Sequence, residues 1–547
     1  MTPRGQIAAR ILEDLLAYRS KSAVLNAQSL IRALKQNSSE AASWAEDDAA
    51  PLIFDAIARV CAIDEVLLSR DALDNLDRHC PQPHLNWQLE QWAHWKLFKG
   101  LLSFLKRDHR TAAAAFEEGL HVIEAVQATQ LQDRSRSILR DIELAFNYYL
   151  AVTERRLGDY VAAQHHITHS IKYSRSAGLR AYFSIEHARI LLSIGHNFGD
   201  IEELLFQAEI SLREAEEHDA NQSDPATKGL LYALQARLCR RREGALGAAE
   251  AAINKALSED GLPPRHRAGF LSDRAHIRTL ALRGSSPLDE ASRRLEERAI
   301  LSDIVEAERL YLSECNMRSR PPRLLNNRAF LRIVLGEFVN ARDLCQQTLR
   351  LARVNAVEQS TAHLLRCMCE CLSSDGNADT ALREAGLALE VVKGVVHRRK
   401  QARAIIWQGR AWLLPPYRAV YRAKKCLELA AQRLATEDLG YIRDEWFELQ
   451  RAIDTSGTDD VLFVLRRSDL LSEPEIADDK GLWHHLSDQF DEAFVREAGD
   501  MVDAGIVNKT KLTGRNVKRF DDLRARIAAR DKRSQLPNLQ TKDASRD

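Results

Sequence analysis

Leu157-Gly158-Asp159-Tyr160, followed by Ala163, returns later in the chain as Leu335-Gly336-Glu337-Phe338, followed by Ala341. In each copy a glycine stands where an amphipathic helix must end, an aromatic residue follows it, and a small residue comes where the next helix crosses closely. A unit of this kind, repeated along a chain, is typical of a helical solenoid, in which each hairpin packs on its neighbours. The sequence therefore predicts an all-α fold built from stacked helical hairpins.

Weaker copies of the unit lie before, between and after these two, with equivalent first-helix positions at 100, 151, 192, 237, 277, 329 and 369. In the fifth unit, around Gly284, the small residue of the second helix is Ala291. The units resemble tetratricopeptide repeats (TPRs), although they are 40 to 52 residues long and the family's repeat has about 34. The resemblance implies a right-handed superhelical solenoid of TPR-like hairpins, whose concave groove binds a protein or peptide.

The repeat pattern divides the chain into four parts. Residues 1–83 are predicted to form an N-terminal helical cap or degenerate repeats, and residues 84–454 the TPR-like array. The pattern ends near 455, so residues 455–533 are predicted to form a separate, small C-terminal helical module. The polar tail, 534–547, is predicted to be disordered.

Composition limits the class of protein. Lysine plus arginine and aspartate plus glutamate each number 78, so the whole chain has no net charge to attract nucleic acid or membranes. The nine cysteines follow no disulfide spacing, the N-terminus does not resemble a signal peptide, and no apolar stretch is long enough to cross a membrane. These features predict a cytoplasmic protein without a membrane segment.

The sequence lacks the motifs of several common enzyme classes. It contains no GxxxxGK(S/T) loop, no GxGxxG after a strand and no GxSxG elbow. We therefore expect a protein without enzymatic activity and without a cofactor.

Two clusters contain residue types that bind zinc. Cys367-x-Cys369-x-Cys371 places two thiols on one helix face and turns the middle one away, and His165-His166-x-x-His169 lacks the glutamate of a zinc protease. Neither cluster has a second ligand pair at metal-binding spacing. We predict small buried thiols, histidines that are solvated or lie between helices, and no metal.

Four polar residues are predicted to line the peptide-binding groove. Asn327 lies in an Asn-Arg-small motif, and the resemblance to peptide-binding TPR domains implies that its amide binds a peptide backbone or carboxylate. Arg274 and Arg278 are one helical turn apart and share a face, and Arg366 takes an equivalent groove position two units later. They predict an electropositive surface for an acidic peptide or phosphate; the alternative is ordinary solvated arginine.

The segment after 455 resembles a Fis-type helix-turn-helix. Gly505, Val507, Leu512 and Gly514 take corresponding places in the short helix and the turn. Between 505 and 533 ten Lys and Arg residues face three Asp residues, a charge pattern expected of phosphate contacts. The residues predicted to contact DNA are Lys509, Lys511, Arg515, Lys518, Arg519 and Arg524. The alternative is a capping helical pair with a solvated basic face.

Two functions remain open on the sequence. The first is a non-enzymatic, regulatory scaffold that binds a protein or peptide in its groove. The second is a transcription regulator whose array senses a protein or peptide and whose C-terminal module binds DNA. The first requires only the repeats, whereas the second also requires the C-terminal motif. The oligomeric state and the identity of the partner are left open.

Overall fold

A computed structural model describes most of the chain up to residue 456. The described ranges are 2–16, 49–63, 87–106, 108–127, 133–194, 198–218, 224–242, 244–284, 289–315, 320–351, 356–393, 398–434 and 441–456, with a few single residues between them. Every regular element in these ranges is helical. The all-α prediction is confirmed for this part of the chain.

The helices follow one another with short connections. They are α1 (Pro3–Leu16), α2 (Ala50–Ile63), α3 (Leu89–Leu105), α4 (His109–Gln127), α5 (Asp133–Leu157), α6 (Tyr160–Tyr173), α7 (Ala177–Ile194), α8 (Phe198–His218), α9 (Pro225–Cys239), α10 (Leu246–Leu257), α11 (Pro264–Gly284), α12 (Glu290–Arg309), α13 (Pro322–Val334), α14 (Phe338–Arg350), α15 (Ala356–Leu372), α16 (Ala378–Val391), α17 (Arg398–Trp412), α18 (Val420–Leu434) and α19 (Tyr441–Thr455). A π-helical turn, Leu310–Glu314, extends α12.

The chain divides into two compact units. Among the described residues, unit 1 holds those up to 358 together with 392–393, 398–399 and 441, and unit 2 holds 359–391, 400–434 and 442–456. In unit 1 consecutive helices pair into hairpins. The pairs are α3–α4, α5–α6, α7–α8, α9–α10, α11–α12 and α13–α14. The first helix of each hairpin also packs against the first helix of the next, from α3 to α13. This arrangement is a helical-repeat solenoid, as predicted.

The quoted turns end their helices as the sequence predicts. Gly158 and Gly336 have φ angles of 93° and 81°, a region that an L side chain rarely adopts. The amides of Gly158 and Asp159 both donate to the carbonyl of Glu154, and the Asp159 carboxylate then caps α6 by accepting from the Ala162 amide. Glycine is therefore required at this turn because the backbone reverses through the left-handed region.

Small residues let the paired helices approach each other. Ala151 and Ala163 are fully buried in one hairpin, and Ala329 and Ala341 are fully buried in another. The prediction of small crossing residues is confirmed for these two copies. In the fifth hairpin it is wrong, because Ala291 is exposed and α12 instead buries Ile300, Ile304 and Ala307.

Unit 2 contains α15–α19 with α15 beginning in unit 1, and its core includes a buried ion pair. The guanidinium of Arg403 donates to both carboxylate oxygens of Glu445 at 2.8 and 2.7 Å, and the indole of Trp407 donates to the same carboxylate at 3.0 Å. Glu445 and Trp407 are fully buried. This network connects α17 to α19 and satisfies the carboxylate charge inside the unit.

Candidate functional site

A buried carboxylate joins three first helices of unit 1. Asp273, on α11, is fully buried, and one of its oxygens accepts two hydrogen bonds from Arg237 of α9, at 2.8 and 3.0 Å. The other oxygen accepts from Arg323 of α13. The two arginine side chains are 22% and 38% exposed, so they reach solvent from a carboxylate that does not. One negative charge is thus shared by two arginine side chains that are partly exposed.

A second carboxylate has the same arrangement nearer the N-terminus. Glu186, on α7, is buried and accepts from Arg155 of α5 at 2.5 Å and from Arg189 of its own helix at 2.9 Å. On the same helices the hydroxyls of Tyr148 and Tyr182 are 2.9 Å apart. The surface formed by α5, α7, α9, α11 and α13, which we call the first-helix surface, therefore carries a row of arginine residues.

These guanidinium groups are close enough to repel one another. Burial and repulsion from Arg189 lower the pKa of Arg237 to about 10. Burial and repulsion from Arg237 and Arg240 lower the pKa of Arg323 to about 9. Both values remain above neutral pH, so the groups stay charged. Crowded, partly desolvated cations of this kind gain stability when an anion binds.

We call this set of residues the arginine cluster: Arg155, Arg189, Arg237, Arg240 and Arg323. Three carboxylates lie among its members, those of Glu186, Asp273 and Glu358. Among these eight groups the five guanidinium groups outnumber the three carboxylates. Because its groups come from four first helices, the charge is spread along the first-helix surface.

Asn327 lies beside this cluster. Its amide donates to the backbone carbonyl of Ser272 at 3.0 Å and to the Ser272 hydroxyl at 2.9 Å, which connects α13 to α11. Ser272 precedes Asp273, and Asn327 follows Arg323 by one helical turn. The amide predicted to bind a peptide thus holds two first helices together at the edge of the cluster, and peptide binding by Asn327 stays a prediction.

Arg274 and Arg278, on α11, face the second helices of two hairpins, α10 and α12. Arg274 donates to both oxygens of Asp303 on α12, at 2.8 and 2.5 Å, and to Asn254 on α10. Arg278 donates to Glu250 on α10 at 2.7 Å, and its guanidinium lies 3.6 Å from Asp303. Both residues are engaged away from the first-helix surface, and their predicted role in the groove stays untested.

Arg366 belongs to unit 2. Its guanidinium lies 3.2 Å from Glu384, a buried carboxylate that is also 2.7 Å from His363. Arg366 therefore takes part in packing α15 against α16. Peptide binding by this residue stays a prediction.

The two clusters with zinc-ligating residue types are engaged in packing. Cys367 and Cys371 lie 4.0 Å apart on one face of α15, and Cys369 is fully buried. His166 is 2.8 Å from Asn147, and His169 is 3.2 Å from Glu143, so both histidines connect α6 to α5. In the part of the chain described above, no group of three or more His, Cys, Asp and Glu side chains is placed to hold a metal ion.

The predicted DNA-binding residues Lys509, Lys511, Arg515, Lys518, Arg519 and Arg524 lie outside the described residues. The helix-turn-helix, the 455–533 module and the disordered tail therefore stay predictions. Among the helices that the structure does describe, none has both the length and the apolar character of a membrane span.

The sequence prediction missed the arginine cluster but contained a signal for it. The repeat numbering assigns residue 237 to the position that Gly100, Ala151 and Ala329 occupy in other units. An arginine where the pattern requires a small residue needs a charged partner, and Asp273 is that partner. The sequence alone could not identify the aspartate, because it lies 36 residues away in another repeat.

Comparisons with known proteins give only distant likenesses. No protein-family model matches the chain, and no curated protein matches it. Among solved structures, yeast Tom70 is similar at 13% identity and a TM-score of 0.37, over 87% of this chain and 84% of that one. The TPR domain of P58(IPK) has 12% identity and a TM-score of 0.23, over 84% and 100%. The APC/C hetero-tetramer Cut9-Hcn1 has 12% identity and a TM-score of 0.22, over 86% and 97%. The fold therefore rests on the helix packing described above and not on these likenesses.

Proposed function

We propose that the protein is a non-enzymatic binding scaffold whose first-helix surface holds an acidic segment of a protein partner. The observation that carries the proposal is the arginine cluster, in which Arg237 and Arg323 share the single charge of Asp273. An acidic segment supplies the negative charge that the cluster lacks. Arginine suits this role because its planar guanidinium binds carboxylates with paired hydrogen bonds.

Accessibility supports the same surface. Arg155, Arg189, Arg237 and Arg323 have side chains that are partly exposed, whereas the carboxylates beneath them are buried. A ligand therefore meets the cations first. The first helices place these groups in consecutive repeats, so an extended segment crosses several of them.

A charge-removal experiment with matched variants tests the proposal. The probe is a short fluorescein-labelled peptide of glutamate and serine, titrated with the full chain by fluorescence anisotropy. Arg237→Gln and Arg323→Gln are each expected to weaken binding about tenfold, the loss expected for one hydrogen bond to a charged group. Asp273 keeps one arginine in either variant, so neither leaves it without a counter-charge.

Arg274→Gln and Arg278→Gln are the matched controls. They also remove one of two arginine residues that lie beside a buried aspartate, Asp303, but on the side of the second helices. We expect them to bind the probe as the wild type does. Equal losses of affinity in all four variants, or losses in the Arg274 and Arg278 variants alone, would contradict binding of the probe at the first-helix surface.

The second candidate function, a transcription regulator, is favoured by the basic sequence at 505–533. Ten Lys and Arg residues against three Asp residues there would contact DNA phosphates. A mobility-shift assay with duplex DNA, using the chain with and without residues 470–547, tests this candidate. DNA binding that disappears with the deletion and weakens with salt supports it; the absence of binding by the full chain rejects it.

A further inference from the structure

Two contacts join α11 and α13 at neighbouring turns of α13. Arg323 donates to Asp273, and Asn327 donates to the residue before it, Ser272, at the backbone carbonyl (3.0 Å) and at the hydroxyl (2.9 Å). Arg323 and Asn327 are four residues apart, so they lie on the same face of α13. The charged contact of the arginine cluster therefore has a neutral contact directly beside it.

The neutral contact uses the donors of the Asn327 amide. A side-chain amide has two N–H donors and one oxygen acceptor. Both acceptors of Ser272 lie within hydrogen-bonding distance of the Asn327 nitrogen. A peptide carboxylate or carbonyl only accepts, so binding it would take a donor away from Ser272. Ser272 is buried, and water does not replace the hydrogen bond that it would lose. The geometry thus favours a role for Asn327 between the helices.

Asn326 makes the same kind of contact with a different neighbour. Its side-chain nitrogen donates to the backbone carbonyl of Glu358 at 3.1 Å and to the Glu358 carboxylate at 2.8 Å, near the start of α15. The two consecutive asparagines therefore connect α13 to α15 and to α11. Only the contact of Asn327 lies next to Asp273, so Asn326 provides a matched control.

The contact between Arg323 and Asp273 depends on how α13 is aligned with α11. The side chain of Arg323 is 38% exposed, and a long, partly exposed side chain has many rotamers to lose when it is ordered. Its hydrogen bonds also weaken steeply when their angles are distorted. Two hydrogen bonds at the next turn fix the alignment of the helices before a ligand arrives, which lowers the entropy lost on binding.

We propose that Asn327 is a positioning residue of the first-helix surface. Through Ser272 it aligns α13 with α11, and it thereby holds the guanidinium of Arg323 beside Asp273, ready for the acidic segment. Asn327 itself makes no contact with the segment. This proposal rests on the proposed function, because it names the residue that prepares one of the groups that bind the partner.

A double-mutant cycle in the full chain tests the proposal, with the labelled peptide of glutamate and serine as the probe. Asn327→Ala is expected to weaken binding about tenfold, close to the effect of Arg323→Gln. Added to Arg323→Gln, it is expected to weaken binding by less than about a further twofold, because its effect passes through Arg323. Asn326→Ala, the control, is expected to change the affinity by less than about threefold in either background.

Ser272→Ala repeats the test with a milder change, since it removes the hydroxyl acceptor and keeps the carbonyl. We expect a loss of about threefold that disappears in the Arg323→Gln background. Wild-type affinity in Asn327→Ala overturns the proposal. So do losses that multiply to about a hundredfold in the double variant, which would show an independent contact with the peptide. Equal losses in Asn326→Ala and Asn327→Ala also overturn it.

Urea unfolding of the same variants separates this proposal from the proposed function. If the wild type does not bind the probe, the proposed function is wrong, and the unfolding data alone decide the role of Asn327. Asn327→Ala is expected to destabilise the wild type more than it destabilises Arg323→Gln, because the two contacts support each other. Equal destabilisation in both backgrounds overturns the positioning role.

Discussion

Arg237 and Arg323, from different repeats of unit 1, bind opposite oxygens of one buried carboxylate, that of Asp273. The arrangement connects three first helices, and two guanidinium groups share this one carboxylate. A buried ion group of this kind seldom stabilises a fold more than apolar residues of similar size would. An excess of accessible positive charge is instead what a surface for an acidic partner requires.

The turn at Gly336 gives a prediction for the repeat itself. Gly336 has a φ of 81° and open space around it, so an added methyl group meets no neighbour and only the backbone is strained. Gly336→Ala is expected to lower the free energy of unfolding by about 1–2 kcal/mol, measured by urea denaturation. Gly247→Ala is the control, because Gly247 lies in helix α10 with equal space and without a positive φ. We expect that variant to be unchanged or more stable by up to about 1 kcal/mol; a similar loss in both variants contradicts the account of the turn.

Glu154 makes unit 1 sensitive to pH. Burial raises the pKa of Glu154 to about 8, and burial lowers the pKa of the neighbouring His166 to about 4, so both are neutral at pH 7 and their contact is not an ion pair. A carboxyl whose folded pKa exceeds its unfolded value stabilises the fold below pH 4.5, and loses that contribution as the pH rises through about 8.

Glu154→Gln fixes the neutral state and should remove this loss. The free energy of unfolding of the variant minus that of the wild type is expected to be larger at pH 8.5 than at pH 5, by on the order of 3 kcal/mol. Urea unfolding at the two pH values measures the difference. If the difference between variant and wild type is the same at both, Glu154 is not neutral in the folded protein and this interpretation is wrong.

Two glutamates of α19 allow a buried ion pair to be compared with a partly exposed one in unit 2. Glu445→Ala leaves the buried guanidinium of Arg403 without its counter-charge and is expected to cost about 3–5 kcal/mol. Glu448→Ala removes an ion pair between the same two helices, with Arg410, but Glu448 is 32% exposed and the expected cost is below about 1 kcal/mol. Thermal unfolding followed by circular dichroism compares the two. Comparable losses would mean that burial does not determine the strength of this pairing.

The fold could be predicted from the sequence because its signals are local. Gly158 and Gly336 mark helix ends within a few residues, and Ala151 and Ala329 repeat at the spacing of the hairpins. The contacts of the candidate site, in contrast, are not local in the sequence. Arg323 and its carboxylate are 50 residues apart, and repeats of 40 to 52 residues do not fix which side chains of neighbouring units meet.

Arginine residues on one helix also could not be assigned to a face of the array by periodicity alone. Arg274 and Arg278 share a face, as predicted, but that face meets α10 and α12. The adjacent residue, Asp273, faces α9 and α13. A rotation of about 100° between neighbouring residues of a helix separates these two surfaces, and the sequence does not show which of them remains open to a ligand.

Photo-crosslinking tests most directly that a partner segment lies on the first-helix surface. A benzophenone amino acid is placed at Ser193, one turn after Arg189 on α7, or at Phe206, an exposed aromatic residue of the second helix α8. The probe is the labelled peptide of glutamate and serine described under the proposed function, and the crosslinked residue is mapped by mass spectrometry. We predict a crosslink from position 193 that Arg237→Gln and Arg323→Gln reduce, and little from position 206. A crosslink from position 206 alone, or one from 193 that neither substitution affects, would contradict the assignment of the arginine cluster as the binding site.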